Sequence, residues 1–115
     1  MIDGKFYIEL AGQQRELAAN FGFIEAIERS DIKKPIVVLL DEALQGKFNI
    51  SDIVSVFYQG LRANRDTRLD RAAVGEEILK FGVVKFIQLY IEFLTFSISG
   101  STELKAVDAD EKKNN

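Results

Sequence analysis

The segment Val83–Ser99 constrains the fold of this chain more than any other part of the sequence. Eleven of its seventeen residues are large and apolar. Five of its six polar residues recur at the three- and four-residue spacing of an α-helix, which predicts one narrow polar stripe on an otherwise apolar helix. These five are Lys85, Gln88, Glu92, Thr95 and Ser99. Because a small domain cannot easily bury so wide a surface, the pattern predicts either an association surface or a central core helix.

The aromatic residues of this segment are the candidate partner-binding residues, and the sequence alone does not decide which of them faces outward. They are Phe86, Tyr90, Phe93 and Phe96. A transmembrane span is a poorer interpretation, since a bilayer needs about 20 apolar residues and charged Lys85 and Glu92 interrupt the first half of the run. The N-terminus also lacks the pattern of a signal peptide. We therefore expect no membrane association and a cytoplasmic location.

The composition excludes several classes of function. The 115 residues suffice for one domain, 47% of them are apolar, and the net charge is −3. Cys and His are both absent, which excludes disulfides, Cys-based metal sites and His-dependent triads. The adjacent carboxylates Asp41–Glu42 and Glu76–Glu77 point about 100° apart on a helix and do not converge on one substrate atom. We expect no enzyme activity, no cofactor and no metal.

The remaining sequence predicts a short N-terminal β-hairpin followed by helices. Residues 5–10 alternate apolar and polar side chains, residues 11–14 turn at Gly12, and residues 15–18 return. Further helices are predicted between Asn20 and Ser30, from Pro35 to Gly46, and from the cap residue Ser51 to Asn64. The expected fold is therefore α+β, with the hairpin packed on a bundle of about five helices. It forms one globular domain over residues 1–99, followed by a disordered, charged tail over residues 100–115.

The second of these helices depends on a choice between two interpretations, and a fourth helix follows the third. Residues 36–40 are continuously apolar, as in a buried strand, but residues 41–45 continue a helical rhythm, so we favour a helix. Asp70 is the predicted cap of the next helix, with Val74, Ile78 and Phe81 facing inward and Gly82 ending it.

Four arginines recur at every third residue between the third and last predicted helices. They are Arg62, Arg65, Arg68 and Arg71. A patch for an acidic partner or a phosphate backbone is one interpretation, and a solvated connector is the other. Asp66 and Asp70 offset half of the charge and no aromatic residue lies among the arginines, which argues against nucleic acid.

The order of these features resembles the small tail assembly chaperones of siphophage-like tails, found in gene transfer agents and related prophages. The resemblance covers residues 4–98. It rests on a strand pair ending in a glycine turn at residues 6–12 and on the helix Phe21–Glu28, which begins aromatic-Gly. It also rests on Ser51-Asp52 with a later Gly-Leu-Arg at residues 60–62, and on residues 74–78 with the closing Gly82.

The resemblance implies a non-enzymatic protein that keeps the tape measure protein soluble and assists polymerisation of tail tube subunits, without remaining in the virion. The partners it implies are the tape measure or tail tube protein, and a homo-oligomer is a further possibility. Two rival functions stay open: a small dimeric helical regulator that binds nucleic acid through the arginine series, and a structural tail or adaptor component.

Overall fold

The computed structural model describes residues 5–100 and confirms the α+β prediction of an N-terminal hairpin packed on five helices. The elements are β1 (Phe6–Leu10), β2 (Gln13–Leu17), α1 (Phe21–Glu28), α2 (Ile36–Leu44), α3 (Ile50–Ala63), α4 (Arg71–Phe81) and α5 (Val83–Ser99). The hairpin lies against α3, α4 and α5, and α5 also contacts α2. Apart from Gly100, the tail predicted to be disordered lies outside the described residues.

A tight turn joins the two antiparallel strands. Leu10 pairs with Gln13, so only Ala11 and Gly12 lie between the strands. Both have positive φ angles, 55° and 75°, which a two-residue type I′ hairpin requires. β2 begins at Gln13, two residues earlier than the predicted start at Arg15. The difference arises because Gln13 and Gln14 pair with Leu10 and Glu9 of β1.

Side-chain caps set the beginnings of α1 and α4 as predicted. The Asn20 Oδ1 accepts a hydrogen bond from the Phe23 backbone N–H at 2.9 Å, and Asp70 Oδ1 accepts one from Ala73 at 2.8 Å. The predicted cap Ser51 is wrong. α3 begins at Ile50 after Asn49, and Ser51 lies inside the first turn, where its Oγ accepts a hydrogen bond from Arg71 instead.

The apolar residues 36–40 form the first part of α2, which confirms the helical interpretation. Pro35 lies at the N-cap, and its side chain offers no hydrogen bond there. Glu28, at the end of α1, accepts the Ile36 N–H at 3.1 Å through its carboxylate. The carboxylate of one helix therefore caps the next, and this contact fixes the connection between them.

Gly82 forms the corner between α4 and α5 with a φ angle of 103°. Such an angle strains any residue with a Cβ, and it lets the two helices meet at a bend of 119°. Phe81 was expected to face inward, but it is 47% exposed. The sharp corner explains the difference, because the chain turns away at the next residue before Phe81 reaches the core.

Aromatic side chains fill the centre of the fold, around Phe93. Its ring lies 5.1 Å from the centroids of both Phe6 and Phe23 and 6.2 Å from that of Phe57. These partners belong to β1, α1 and α3, so one residue of α5 joins three other elements. The core therefore includes the hairpin and the helices together.

Candidate functional site

All four aromatic residues predicted to bind a partner are buried in the protein's own core. Phe86, Tyr90 and Phe93 are at most 1% exposed, and Phe96 is 9% exposed. The expectation that one of them is displayed to a partner is therefore wrong for this chain. The hairpin, α2, α3 and α4 together cover the aromatic side of α5, which the sequence could not show.

The solvent side of α5 carries a different apolar set. Val84 is 82% exposed and Ile98 is 46% exposed, and Ile91, midway between them, is partly buried. These residues are spaced by seven, so they lie along one face of the helix. We name the set Val84, Ile91 and Ile98 the α5 stripe. At a rise of about 1.5 Å per residue, it extends over about 21 Å.

The polar residues of α5 do not form the single exposed stripe that the sequence predicted. Lys85 and Gln88 are exposed, and the Gln88 amide donates to Glu92 at 2.9 Å. Thr95 is only 2% exposed, and its hydroxyl donates to the Ile91 carbonyl at 2.8 Å. An internal backbone acceptor satisfies this buried hydroxyl, so Thr95 belongs to the core side.

Exposed apolar side chains continue beyond the N-terminal end of the α5 stripe. Leu79 is 57% exposed and Phe81 is 47% exposed, and both lie within five residues of Val84 along the chain. They occupy the last turn of α4, on the other side of the Gly82 corner. The corner thus adds apolar surface next to the beginning of the α5 stripe.

The arginine series is divided among separate contacts. Arg62 donates to the Tyr58 hydroxyl at 3.0 Å, and its guanidinium lies 5.6 Å from the centre of that ring. Arg71 reaches back to the first turns of α3, where it donates to Ser51 Oγ at 2.7 Å and Ser55 Oγ at 3.0 Å. These two arginines therefore contact different parts of α3.

The other two arginines shape the connector after α3. Arg65 has a φ angle of 63°. Its backbone N–H donates a hydrogen bond to the Arg62 carbonyl, and the Asp66 N–H donates one to the Leu61 carbonyl. These two bonds form a Schellman motif at the C-terminus of α3. Arg68 donates twice to the Asp66 carboxylate, at 3.1 Å each. The structure thus assigns local structural contacts to Arg62, Arg68 and Arg71, while Arg65 projects from the helix end as an exposed side chain.

A buried ion pair between Arg15 and Asp66 was missed by the sequence analysis. The Arg15 Nη1 lies 2.9 Å from Asp66 Oδ2, and the two side chains are only 5% and 8% exposed. Arg15 Nε also donates to the Leu10 carbonyl at 3.0 Å. Hydrogen bonds from Arg68 and then Arg15 lower the pKa of Asp66 to about 2. One signal was present: Arg15 alternates with Leu17 on the inward side of β2.

The described residues offer no metal centre and no single membrane-spanning helix. Among residues 5–100, no group of three or more His, Cys, Asp or Glu side chains is placed to hold a metal ion. None of the helices in this range is by itself long and apolar enough to cross a bilayer, and α4 and α5 reach that length only as a bent pair.

Comparisons of the chain with protein-family models, with curated proteins and with solved structures give no match.

Proposed function

We propose that this chain is a non-enzymatic tail assembly chaperone that binds a helical segment of a tape measure protein, or a tail tube protein, through the α5 stripe. The observation that carries the proposal is the seven-residue spacing of Val84, Ile91 and Ile98 along α5, with Val84 and Ile98 exposed and Ile91 between them packed partly against the core. The aromatic residues take no direct part in this contact, since they form the core behind it.

The spacing of the α5 stripe suits a helical partner. Apolar residues repeated every seven positions form the seam of paired helices, and β-branched Val and Ile are typical of one seam position. All three stripe residues are β-branched. A partner helix with its own apolar seam would remove Val84 and Ile98 from water, in the helix-to-groove mode of recognition.

The side chains beside the α5 stripe are polar and can limit which helix binds. Lys85, Gln88 and Glu92 lie next to the stripe, and two of them carry opposite charges. Charges at the edge of an interface mainly affect association rate and specificity. They leave the apolar contacts as the source of affinity.

The resemblance to small tail assembly chaperones supports the identity of the partner. In that group the tape measure is a long, largely helical chain with exposed apolar stripes, which matches what the α5 stripe would cover. A chaperone of this kind acts in the cytoplasm of the host bacterial cell, before the tail is complete. The charge of −3 is compatible with such a role and gives no general attraction to nucleic acid.

Co-expression with the tape measure protein encoded beside this chain tests the proposal. The wild-type chain should keep the tape measure soluble and co-elute with it in size-exclusion chromatography with light scattering. The double variant Val84→Glu/Ile98→Glu should lose both effects, because it places two charges in the apolar seam. The matched control is Phe21→Glu on α1, since Phe21 is also apolar and 74% exposed.

Equal activity of the double variant and the wild type would contradict a role for the α5 stripe. If the chain alone is a dimer that the double variant converts to a monomer, a second copy occupies the stripe instead. Gene order is an independent check: a tube protein gene upstream and a tape measure gene downstream are expected. Recovery of the chain from purified particles would favour the structural component.

The regulator alternative is tested through the arginine series. We expect no shift of duplex DNA or RNA at physiological salt and low micromolar protein. Asp66 and Asp70 offset half of the charge of the four arginines, and hydrogen bonds hold Arg71 against α3, so the series is poorly arranged for the several phosphate contacts that binding needs. A shift that is lost when all four arginines become Ala would favour the regulator over the chaperone.

A further inference from the structure

The buried hydroxyl of Tyr90 is the starting point for a second site, away from the α5 stripe. The Tyr90 side chain is 1% exposed, yet its hydroxyl makes no hydrogen bond to any residue in the described range 5–100. Buried tyrosine hydroxyls usually have a hydrogen-bonding partner. A partner for this hydroxyl must therefore come from outside residues 5–100.

A cavity of about 180 Å³ lies at the position where that partner would bind. It is bounded by α2, the loop between α2 and α3, the first turn of α3, and Tyr90 of α5. Besides burial, the negative charges of Asp52 and Glu42, which line the same cavity, raise the pKa of Tyr90. Tyr90 thus lines the cavity together with both carboxylates.

The charges of the cavity are arranged unevenly. Glu42 is neutralised by Lys34, whose Nζ lies 2.9 Å from its Oε1. Asp52 forms no direct ion pair among residues 5–100, but after the larger effect of Glu42 its charge also raises the pKa of Lys34, which lines the same cavity. Asn49 makes no side-chain cap to α3. Lys47 is exposed at the outer side of the cavity. The acceptors that line the cavity are the Asp52 carboxylate, the amide oxygen of the exposed Asn49 and the Tyr90 oxygen.

We propose that this cavity binds a primary ammonium group, with Asp52 supplying the opposite charge and Tyr90 and Asn49 supplying neutral acceptors. An ammonium group has three donors and is a compact charge, which suits three separate acceptors better than the planar fork of a guanidinium. The volume accommodates a short alkyl chain carrying that group. The site does not depend on the tail chaperone proposal.

Two sources could supply the ammonium group: a small free amine, or a lysine side chain of a protein partner. Butylammonium and N-acetyl-lysine N-methylamide are probes for the two. Tighter binding of the lysine derivative would assign the pocket to a protein partner, and tighter binding of butylammonium would assign it to a free amine. Saturable binding of either one supports the ammonium site.

Titration of the full chain by NMR tests the proposal, with the Tyr90 ring and the Asn49 side-chain amide as reporters. We expect saturable shifts at both groups in wild type. Tyr90→Phe should weaken binding about tenfold, and Asp52→Asn should abolish it. Asp41→Asn is the matched control, because Asp41 is an exposed carboxylate on α2 that does not line the cavity. Lys47→Ala should strengthen binding, since it removes a like charge.

Three results would overturn the proposal. The first is no saturable shift with either ammonium probe, which would leave only water as the partner of the hydroxyl. The second is equal binding of butanol, which has the same chain without the charge. The third is saturable binding of acetate at the same reporters, which would make the lysines the binding groups. A Tyr90→Phe or Asp52→Asn variant with an unchanged fold and wild-type affinity would contradict the assigned roles.

Discussion

Arg15 and Asp66 form a buried ion pair, although they lie 51 positions apart in the sequence. A buried charge is costly unless it is paired and hydrogen-bonded. Here Arg15 has both the Asp66 carboxylate and the Leu10 carbonyl as partners. The pair joins the hairpin turn to the connector after α3, and Arg68 closes the connector over the same carboxylate from the solvent side.

Replacing Asp66 with Asn should lower the free energy of unfolding by about 3 kcal/mol, because it leaves the buried Arg15 charge without a counter-ion. Arg68→Ala is the control, and it should lower the stability much less, since Arg68 is 66% exposed and the buried pair stays intact. Urea denaturation at neutral pH measures both. Equal losses of unfolding free energy in the two variants would show that the buried pair stabilises the fold no more than the exposed contact of Arg68.

The same carboxylate predicts a pH dependence. The folded pKa of Asp66 is about 2, below the ordinary value of 3.8, so folding favours its ionised form. Its contribution is complete above about pH 4 and is lost as the pH falls toward 2. The stability difference between wild type and Asp66→Asn should therefore shrink over that interval. A difference that stays constant between pH 5 and pH 2 would contradict the assignment.

At the scale of elements, α3 and α5 approach each other closely at Gly60. Gly60 of α3 faces the Phe93 ring, and its carbonyl accepts the Ala18 N–H of the chain leaving β2 at 3.0 Å. The absence of a side chain at this position lets the strand, α3 and α5 meet. Gly75 lies in the middle of α4 and has no such constraint.

Gly60→Ala and Gly75→Ala should therefore change stability in opposite directions. A Cβ at Gly60 would lie 3.0 Å from two Phe93 ring carbons and 3.3 Å from the Leu17 Cβ, so we expect a loss of about 1–3 kcal/mol. A Cβ at Gly75 would meet Val54 at an ordinary 3.6 Å. That change should gain about 0.5–1 kcal/mol from helix propensity. Thermal denaturation followed by circular dichroism distinguishes the two, and stabilisation by Gly60→Ala would contradict the close approach.

For the whole molecule, the position of Phe93 predicts that the described elements unfold together. Its ring contacts aromatic residues of β1, α1 and α3, and Gly60 lies beside it. The other aromatic contacts of α5, Phe6 with Phe96 and Phe57 with Phe86, belong to the same buried cluster within residues 5–100. The hairpin in particular depends on this shared core, since a two-stranded sheet is marginal alone.

Phe93→Ala should lower the free energy of unfolding by about 3–5 kcal/mol and should weaken all elements at once. Far-ultraviolet circular dichroism reports the helices, and near-ultraviolet dichroism reports tyrosines that include Tyr7 in β1. The two transitions should coincide in wild type and in the variant. Val84→Ala on the exposed side of the same helix is the control and should change stability little. Separate transitions for hairpin and helices would contradict the single core.

The sequence by itself determined the elements and most of their ends. Side-chain caps at Asn20 and Asp70 and the glycines at 12 and 82 act on their immediate neighbours, so their effects follow from local chemistry. Helical periodicity likewise identified α2 where the apolar run alone allowed a strand. The resulting α+β architecture needed no knowledge of which elements touch.

Only the tertiary structure decided which faces are covered. An almost wholly apolar helix carries no signal for its own orientation, so the burial of Phe86, Tyr90, Phe93 and Phe96 depended on the elements packed around α5. The burial of Thr95 and the exposure of Phe81 likewise depend on the surrounding elements. The α5 stripe and the Tyr90 cavity were hidden in the sequence for this reason. Burial and pairing arise between residues that are distant along the chain, and a local pattern contains no information about such contacts.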